Sequence, residues 1–242
     1  GQKARKASFK KINTKVKNKV LKNYALLLDK EKNSILKANE KDVKLALRKG
    51  LTNNLINRLF IDQKKLNIIK SSINKITKLK DPTDNVLEKW SRPNGLKISR
   101  VSIPIGVIGV IYESRPNVTS DIASLCFKSG NAVILKGGSE ATNTNKILAK
   151  LFRKALKENK VNKDFIQFVD STDRKMVDFM LSKMKDFIDV IIPRGGKNLV
   201  KKVQEFSNVP IIGHLEGLCH TFIDKDAELK MATNIIYNAK LR

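Results

Sequence analysis

From about residue 98 onward, short apolar runs alternate with longer amphipathic stretches, and this alternation constrains the fold more than any other feature of the chain. The runs Ile103–Tyr112, Asn131–Leu135, Phe165–Val169, Ile188–Ile192, Val209–Gly213 and Thr221–Ile223 have the composition and length of strands. Helical spacing predicts helices over 140–159, 173–182 and 197–206, the first with Leu148, Leu151, Phe152 and Ala155 on one side. Strands separated by helices pair in parallel, so the pattern predicts an α/β fold with a mostly parallel sheet covered on both faces. Ligands of such sheets sit beyond the carboxyl ends of the strands. The informative loops are therefore 112–120, 136–141, 170–174, 193–197 and 214–220.

Residues 1–97 read differently. Val16, Val20, Tyr24, Leu27 and Leu28 recur at helical spacing, as do Ile35, Leu36, Val43 and Leu47, and then Leu66, Ile69, Ile73 and Ile76. Gly50 sits where the second helix should end, and Asp81–Asp84 and Arg92–Gly95 are turns. This predicts an N-terminal helical arm over 1–97, with no visible chemistry and with Tyr24 and Trp90 explained by packing. From about residue 98 the chain reads as the α/β domain.

A chain of 242 residues can bury a core without disulfides, and its two cysteines, Cys126 and Cys219, suit a reducing compartment. With no secretory leader and no apolar run long enough to span a bilayer, the expectation is a cytoplasmic protein without membrane contact. The formal charge of +26 is compatible with a basic nucleic-acid binder. However, the positive charge is mostly scattered lysine and aromatic residues make up only 6%, so no specific nucleic-acid partner is expected. The same field would attract small polyanions.

Four loops carry candidate chemistry. Lys136-Gly137-Gly138-Ser139-Glu140 follows a strand and opens a helix; its glycines permit a sharp bend presenting bare N–H groups to an anion, with Lys136 placed for a ribose or phosphate. Pro193-Arg194-Gly195-Gly196-Lys197 repeats the arrangement, and the pair points to a polyphosphate such as a dinucleotide. Either bend could also be purely structural. In the 112–118 loop, Glu113 and Arg115 are candidate substrate ligands, Arg115 as a planar fork for carboxylate or phosphate, and Asn117 is a candidate oxyanion donor. A plain loop, with Glu113 paired to Arg115 or to a surface lysine, is the alternative. The run His214-Leu215-Glu216-Gly217-Leu218-Cys219-His220 admits zinc ligands, a thiol nucleophile, or Glu216 as an active-site carboxylate beside a buried, inert Cys219.

Taken in order, Trp90–Leu96, the run IPIGVIGVIYESRPNVTSDIASLCFKSGNAVILKGGSEA at Ile103–Ala141, IPRGGKNLV at Ile192–Val200 and HLEGLCHTFID at His214–Asp224 resemble the gamma-glutamyl phosphate reductase (glutamate-5-semialdehyde dehydrogenase) family of the aldehyde dehydrogenase superfamily. The resemblance runs from near Ala4 to about Lys240. It implies a Rossmann-like NADP-binding domain of the aldehyde dehydrogenase fold, a catalytic domain and a small oligomerisation hairpin. The implied reaction reduces L-glutamyl 5-phosphate with NADPH to L-glutamate 5-semialdehyde and phosphate, in proline biosynthesis. By the same resemblance, Lys136, Gly138, Ser139, Glu140, Gly195 and Gly196 contact NADP(H), Asn117 helps form the oxyanion hole, and Glu216 stands where many relatives keep a general base.

The implied mechanism also needs a cysteine thiolate, which attacks the acyl phosphate and yields a thioester that accepts hydride. The family's cysteine follows a run beginning like Asn238-Ala239-Lys240, whereas here Leu241-Arg242 end the sequence, and neither Cys126 nor Cys219 holds that position. The expectation is a truncated enzyme with little or no reductase activity and a tendency to self-associate through its uncovered apolar face. A catalytically silent NADP-binding or assembly module is the alternative.

Overall fold

The computed structural model describes every residue except 114, 174, 214–216, 218, 241 and 242. Four parallel strands form the central sheet: β3 (Val107–Tyr112), β4 (Ala132–Lys136), β5 (Ile166–Phe168) and β6 (Val190–Arg194), in spatial order β5-β4-β3-β6. β3 and β4 are buried along their whole length, which is why they read as continuous apolar runs. The chain steps outward from β3 to β4 to β5 and then returns to the other side of β3 with β6. That reversal puts a topological switch point between the carboxyl ends of β3 and β6.

Helices α6 (Pro116–Lys128) and α7 (Thr142–Glu158) pack on β4 and β5 and on one another. The helical arm is a further layer. Its helices α2 (Thr14–Lys30) and α5 (Gln63–Lys78) pack together, α2 against α7 and α5 against α6, while α3 (Lys32–Arg48) lies on α7 and α4 (Asn53–Leu59). Leu66, Ile69, Ile73 and Ile76 make the buried face of α5, as their spacing requires. Tyr24 packs on Phe152 with ring centroids 4.4 Å apart, and Phe127 meets the rings of Phe152 and Phe165 edge-on. Short α1 (Gln2–Ser8) lies against β3 and β4; its Arg5 pairs with Asp189, which also accepts the Val107 N–H at 2.7 Å and so ties the chain start to the head of β3.

Several sequence expectations need correction. The strand expected over 103–112 begins at Val107, because Pro104 cannot donate to a ladder and Gly106 turns at φ +125° against the Asp189 carboxylate. The run 209–213 contributes one bridge, Ile211 to Ile191, and Thr221–Ile223 is not a strand. The end of the arm is not helical: β1 (Val86–Ser91) and β2 (Lys97–Val101) form an antiparallel hairpin about the Arg92–Gly95 turn, with Gly95 at φ +83°. Tyr24 packs as expected, whereas Trp90 stands 38% exposed on this hairpin. The expected loop 112–120 is helix from Pro116, whose fixed φ and missing N–H suit the first turn of α6. Helices α8 (Lys175–Lys183), α9 (Lys197–Phe206) and α10 (Leu229–Lys240) complete the order, and α10 buries none of its residues. No helix among the described residues is long and apolar enough to cross a membrane.

Candidate functional site

The carboxyl ends of β3 and β6 are in register, Tyr112 beside Arg194, and the Glu113 N–H donates to the Arg194 carbonyl at 3.2 Å. Glu113 and Gly195 therefore leave the sheet side by side at the switch point. A cleft of two adjoining chambers opens there. The smaller, about 190 Å³, is walled by Glu113, Arg115, Arg194, Gly195 and Gly196 from the sheet side and by Leu55 and Arg58 from α4. The larger, about 390 Å³, shares Arg58 and Arg115 and continues past Asn117 and Asp121 of α6 to the apolar side of α5. The arm is thus not chemically silent: it supplies one wall of the cleft and two of its cations, Arg58 and Lys65.

In the smaller chamber the Gly196 N–H, which opens α9, donates to the Glu113 carboxylate at 2.8 Å. The bend does not present a bare amide; it already holds an anion, as the N-terminal end of a helix favours. Glycine leaves room for this approach: a Cβ on Gly195 would lie 2.6 Å from the Glu113 carboxyl carbon and 2.8 Å from Leu199, so both side-chain ends would have to shift. Glu113 pairs with this amide rather than with Arg115. Among the described residues, the guanidiniums of Arg58, Arg115 and Arg194 make no hydrogen bond or ion pair, so three positive forks face one carboxylate.

The 136–141 bend is built differently. Lys136 is only 5% exposed and its ammonium donates to the Gly137 carbonyl at 2.9 Å. Burial pulls its pKa below the ordinary lysine value, against the fields of Glu140 and Asp173. Gly138 precedes a short 3₁₀ turn, Ser139–Ala141, in which the Ser139 hydroxyl meets Glu140 Oε1 at 3.2 Å. The first α7 amides are occupied by the arm: buried Asp42 accepts the N–H groups of Asn143 at 3.1 Å and Thr144 at 2.8 Å, and the Thr144 hydroxyl at 2.6 Å. Beneath Gly137 runs a buried chain in which Tyr112 Oη meets Thr119 Oγ1 at 2.6 Å and Thr119 donates to Asn145 Oδ1 at 2.8 Å, leaving Asn145 Nδ2 unpaired. None of Lys136, Gly138, Ser139 or Glu140 walls either chamber.

Asn117 sits on the first turn of α6 at the larger chamber, with Nδ2 donating to Asp121 Oδ2 at 3.2 Å. Asp121 Oδ1 is buried without a hydrogen bond. Burial raises the Asp121 pKa above the ordinary carboxylate value, and Asn117, together with a Ser72 hydroxyl that does not close a hydrogen bond, opposes this only in part. Glu216 lies outside the described residues, as does His214. Cys219 is exposed rather than buried and itself lies in neither strand nor helix. Cys126 is buried in α6, where desolvation pushes its thiol up to about 12.

Sequence reading missed Arg58 and Asp121. The first had a readable signal, because only ten of the 49 cationic side chains are arginine and three of those ten meet in this cleft. The second lies one helical turn beyond Asn117, a relation visible only once α6 is known to begin at Pro116.

The model of the aldehyde dehydrogenase family matches residues 2–242. Among similar proteins, the gamma-glutamyl phosphate reductase of Sulfurihydrogenibium sp. is 45% identical over 231 residues, covering 96% of this chain and 52% of the relative. That of Bartonella henselae is 47% identical over 244 residues, covering all of this chain and 59% of the relative. The crystal structure of the Thermotoga maritima gamma-glutamyl phosphate reductase superposes with a TM-score of 0.92 at 39% identity, over 99% of this chain and 58% of that one. The Saccharomyces cerevisiae counterpart gives a TM-score of 0.81 at 32% identity, over 99% of this chain and 61% of that one. The chain spans between half and about three fifths of the length of these relatives.

Proposed function

Because the chain belongs to the aldehyde dehydrogenase family, we propose that residues 1–242 form the nucleotide-facing and substrate-facing part of an NADPH-dependent reductase of L-glutamyl 5-phosphate. In this reading 98–223 is the nucleotide domain, 224–242 opens the catalytic domain, the β1–β2 hairpin serves self-association, and the protein works in the cytoplasm. The observation that carries it is the cleft at the switch point, with an anion-holding amide at one end and the Asn117 amide at the other.

The residues fit a dinucleotide. A carboxylate on Gly196 N–H is a stand-in for a phosphate oxygen, and Arg58, Arg115 and Arg194 supply the surrounding positive field. Lys136, Gly138, Ser139 and Glu140 would meet the adenosine end, with Lys136 turning from the Gly137 carbonyl to a ribose hydroxyl or phosphate. NADPH, when bound, supplies a hydride. The chain's own residues bind and orient the substrate: Arg115 holds an anionic group, Glu113 yields its amide to the nucleotide and faces the substrate, and Asn117 donates to the acyl oxygen as negative charge develops there. Glu216 would act as general base. Buried Cys126 is no nucleophile at neutral pH.

The test is a fluorescence titration with NADPH, followed by addition of acyl phosphate while nicotinamide absorbance is monitored. The 242-residue chain is expected to bind NADPH, to bind it more weakly after Lys136→Met, and to show no steady turnover. Absence of NADPH binding, or salt-sensitive DNA binding in its place, would refute the nucleotide assignment. Steady turnover lost on Cys219→Ser would instead make that thiol the nucleophile.

A further inference from the structure

We propose that Asp121 is the specificity residue that recognises the α-ammonium group of an amino-acid acyl phosphate in the larger chamber. The inference rests on the function proposed above and names the group by which that substrate is selected. A carboxylate oxygen taken out of water without a partner is costly, and such a group is retained where a ligand completes it. Asp121 Oδ1 is in that state: it is buried without a hydrogen bond, while Oδ2 takes one N–H of Asn117 at 3.2 Å. An amide nitrogen carries two hydrogens, so Asn117 can keep Asp121 in place with one and give the other to an acyl oxygen.

The spacing agrees. Asn117 and Asp121 are four residues apart on α6, about 6 Å along the helix axis, and their side-chain ends meet at 3.2 Å. In a glutamyl group the acyl carbon and the α-nitrogen are separated by four bonds of about 1.5 Å, an extended reach of about 5 Å. With an acyl oxygen about 3 Å from Asn117 Nδ2, that reach lets the ammonium lie within hydrogen-bond distance of Asp121 Oδ1, the oxygen left without a partner. The charges match as well. The substrate carries one ammonium, one carboxylate and one phosphate, and the larger chamber offers one carboxylate, Asp121, and the unpaired guanidiniums of Arg58 and Arg115. Lys65, also at its wall, is committed to the carbonyls of Asn57 and Phe60, both at 2.7 Å.

The experiment is calorimetric titration of the 242-residue chain with two keto-phosphonates, in which CH₂ replaces the bridging oxygen of L-glutamyl 5-phosphate: one with the α-amino group and one with hydrogen in its place. The wild-type chain is expected to bind the amino compound at least about tenfold more tightly, a modest share of what a desolvated ammonium–carboxylate contact can supply. Asp121→Asn should bind the two alike, and should melt no lower than wild type because it removes an uncompensated charge. Arg58→Met should weaken both compounds together. The inference is overturned if the wild type does not discriminate, if neither compound binds, if discrimination survives in Asp121→Asn, or if that variant unfolds. NADPH is titrated separately: loss of nucleotide binding with discrimination intact would sink the reductase reading and leave ammonium recognition standing.

Discussion

The bends at 136–141 and 193–197 look alike in sequence, each a strand, a cation, two glycines and a helix, yet the folded chain treats them as different objects. At the first, the cation is folded back onto its own bend and the helix amides are taken by Asp42 from another layer of the protein. Its glycine clears a packed, buried network. At the second, Arg194 projects unpaired into a cleft, and the amide is held by Glu113, a neighbour on the adjacent strand. The lesson is that a glycine pair marks close approach of the backbone to something. Whether that something is the protein's own interior or an exchangeable anion is decided by what packs against it.

Four substitutions would break or sharpen this contrast. The largest effect is expected from Asp42→Ala, which strands the buried amide and hydroxyl of Thr144 and frees the part-buried Asn143 amide; a loss of roughly 3 kcal/mol should appear in urea unfolding. If stability were unchanged, the first bend would not depend on the arm. Gly137→Ala comes next. A Cβ there would run into Asn145 Nδ2 and lie 3.1 Å from the Tyr112 hydroxyl, both on fully or nearly fully buried side chains that cannot yield, so about 2 kcal/mol should be lost. Gly195→Ala meets only the movable end of Glu113 and Leu199, and should cost less than about 1 kcal/mol by the same measurement; equal costs for the two glycine variants would erase the distinction. Smallest in stability is Glu113→Gln, an exposed contact expected to change unfolding by less than about 0.5 kcal/mol. It should nevertheless tighten NADPH binding a few fold by weakening the internal competitor, and weaker binding on fluorescence titration would mean that Glu113 does not compete for that place.

The alternation of apolar runs with amphipathic stretches was enough to read the parallel α/β core, and α9 falls on the residues its periodicity indicated. The exceptions have local causes. Pro104 and Gly106 delay β3, and the hairpin of β1 and β2 is exposed along nearly all its length, so neither of its strands carries the one-sided burial that betrays a strand in sequence. Asn117 and Arg115 were legible as cleft residues because they follow a strand end. Arg58 and Asp121 were not, since one comes from a helix distant in sequence and the other acquires meaning only from the helical turn it shares with Asn117.

By itself the sequence determined which segments bury their apolar side chains and where backbone must bend sharply, since periodicity and glycine act through neighbours a few residues away. Tertiary structure decided which groups answer those bends: Asp42 reaches α7 across 101 positions and Glu113 reaches Gly196 across 83. A hydrogen bond or ion pair operates over a few ångströms, and only the packed arrangement of arm and sheet brings residues so far apart along the chain within that range.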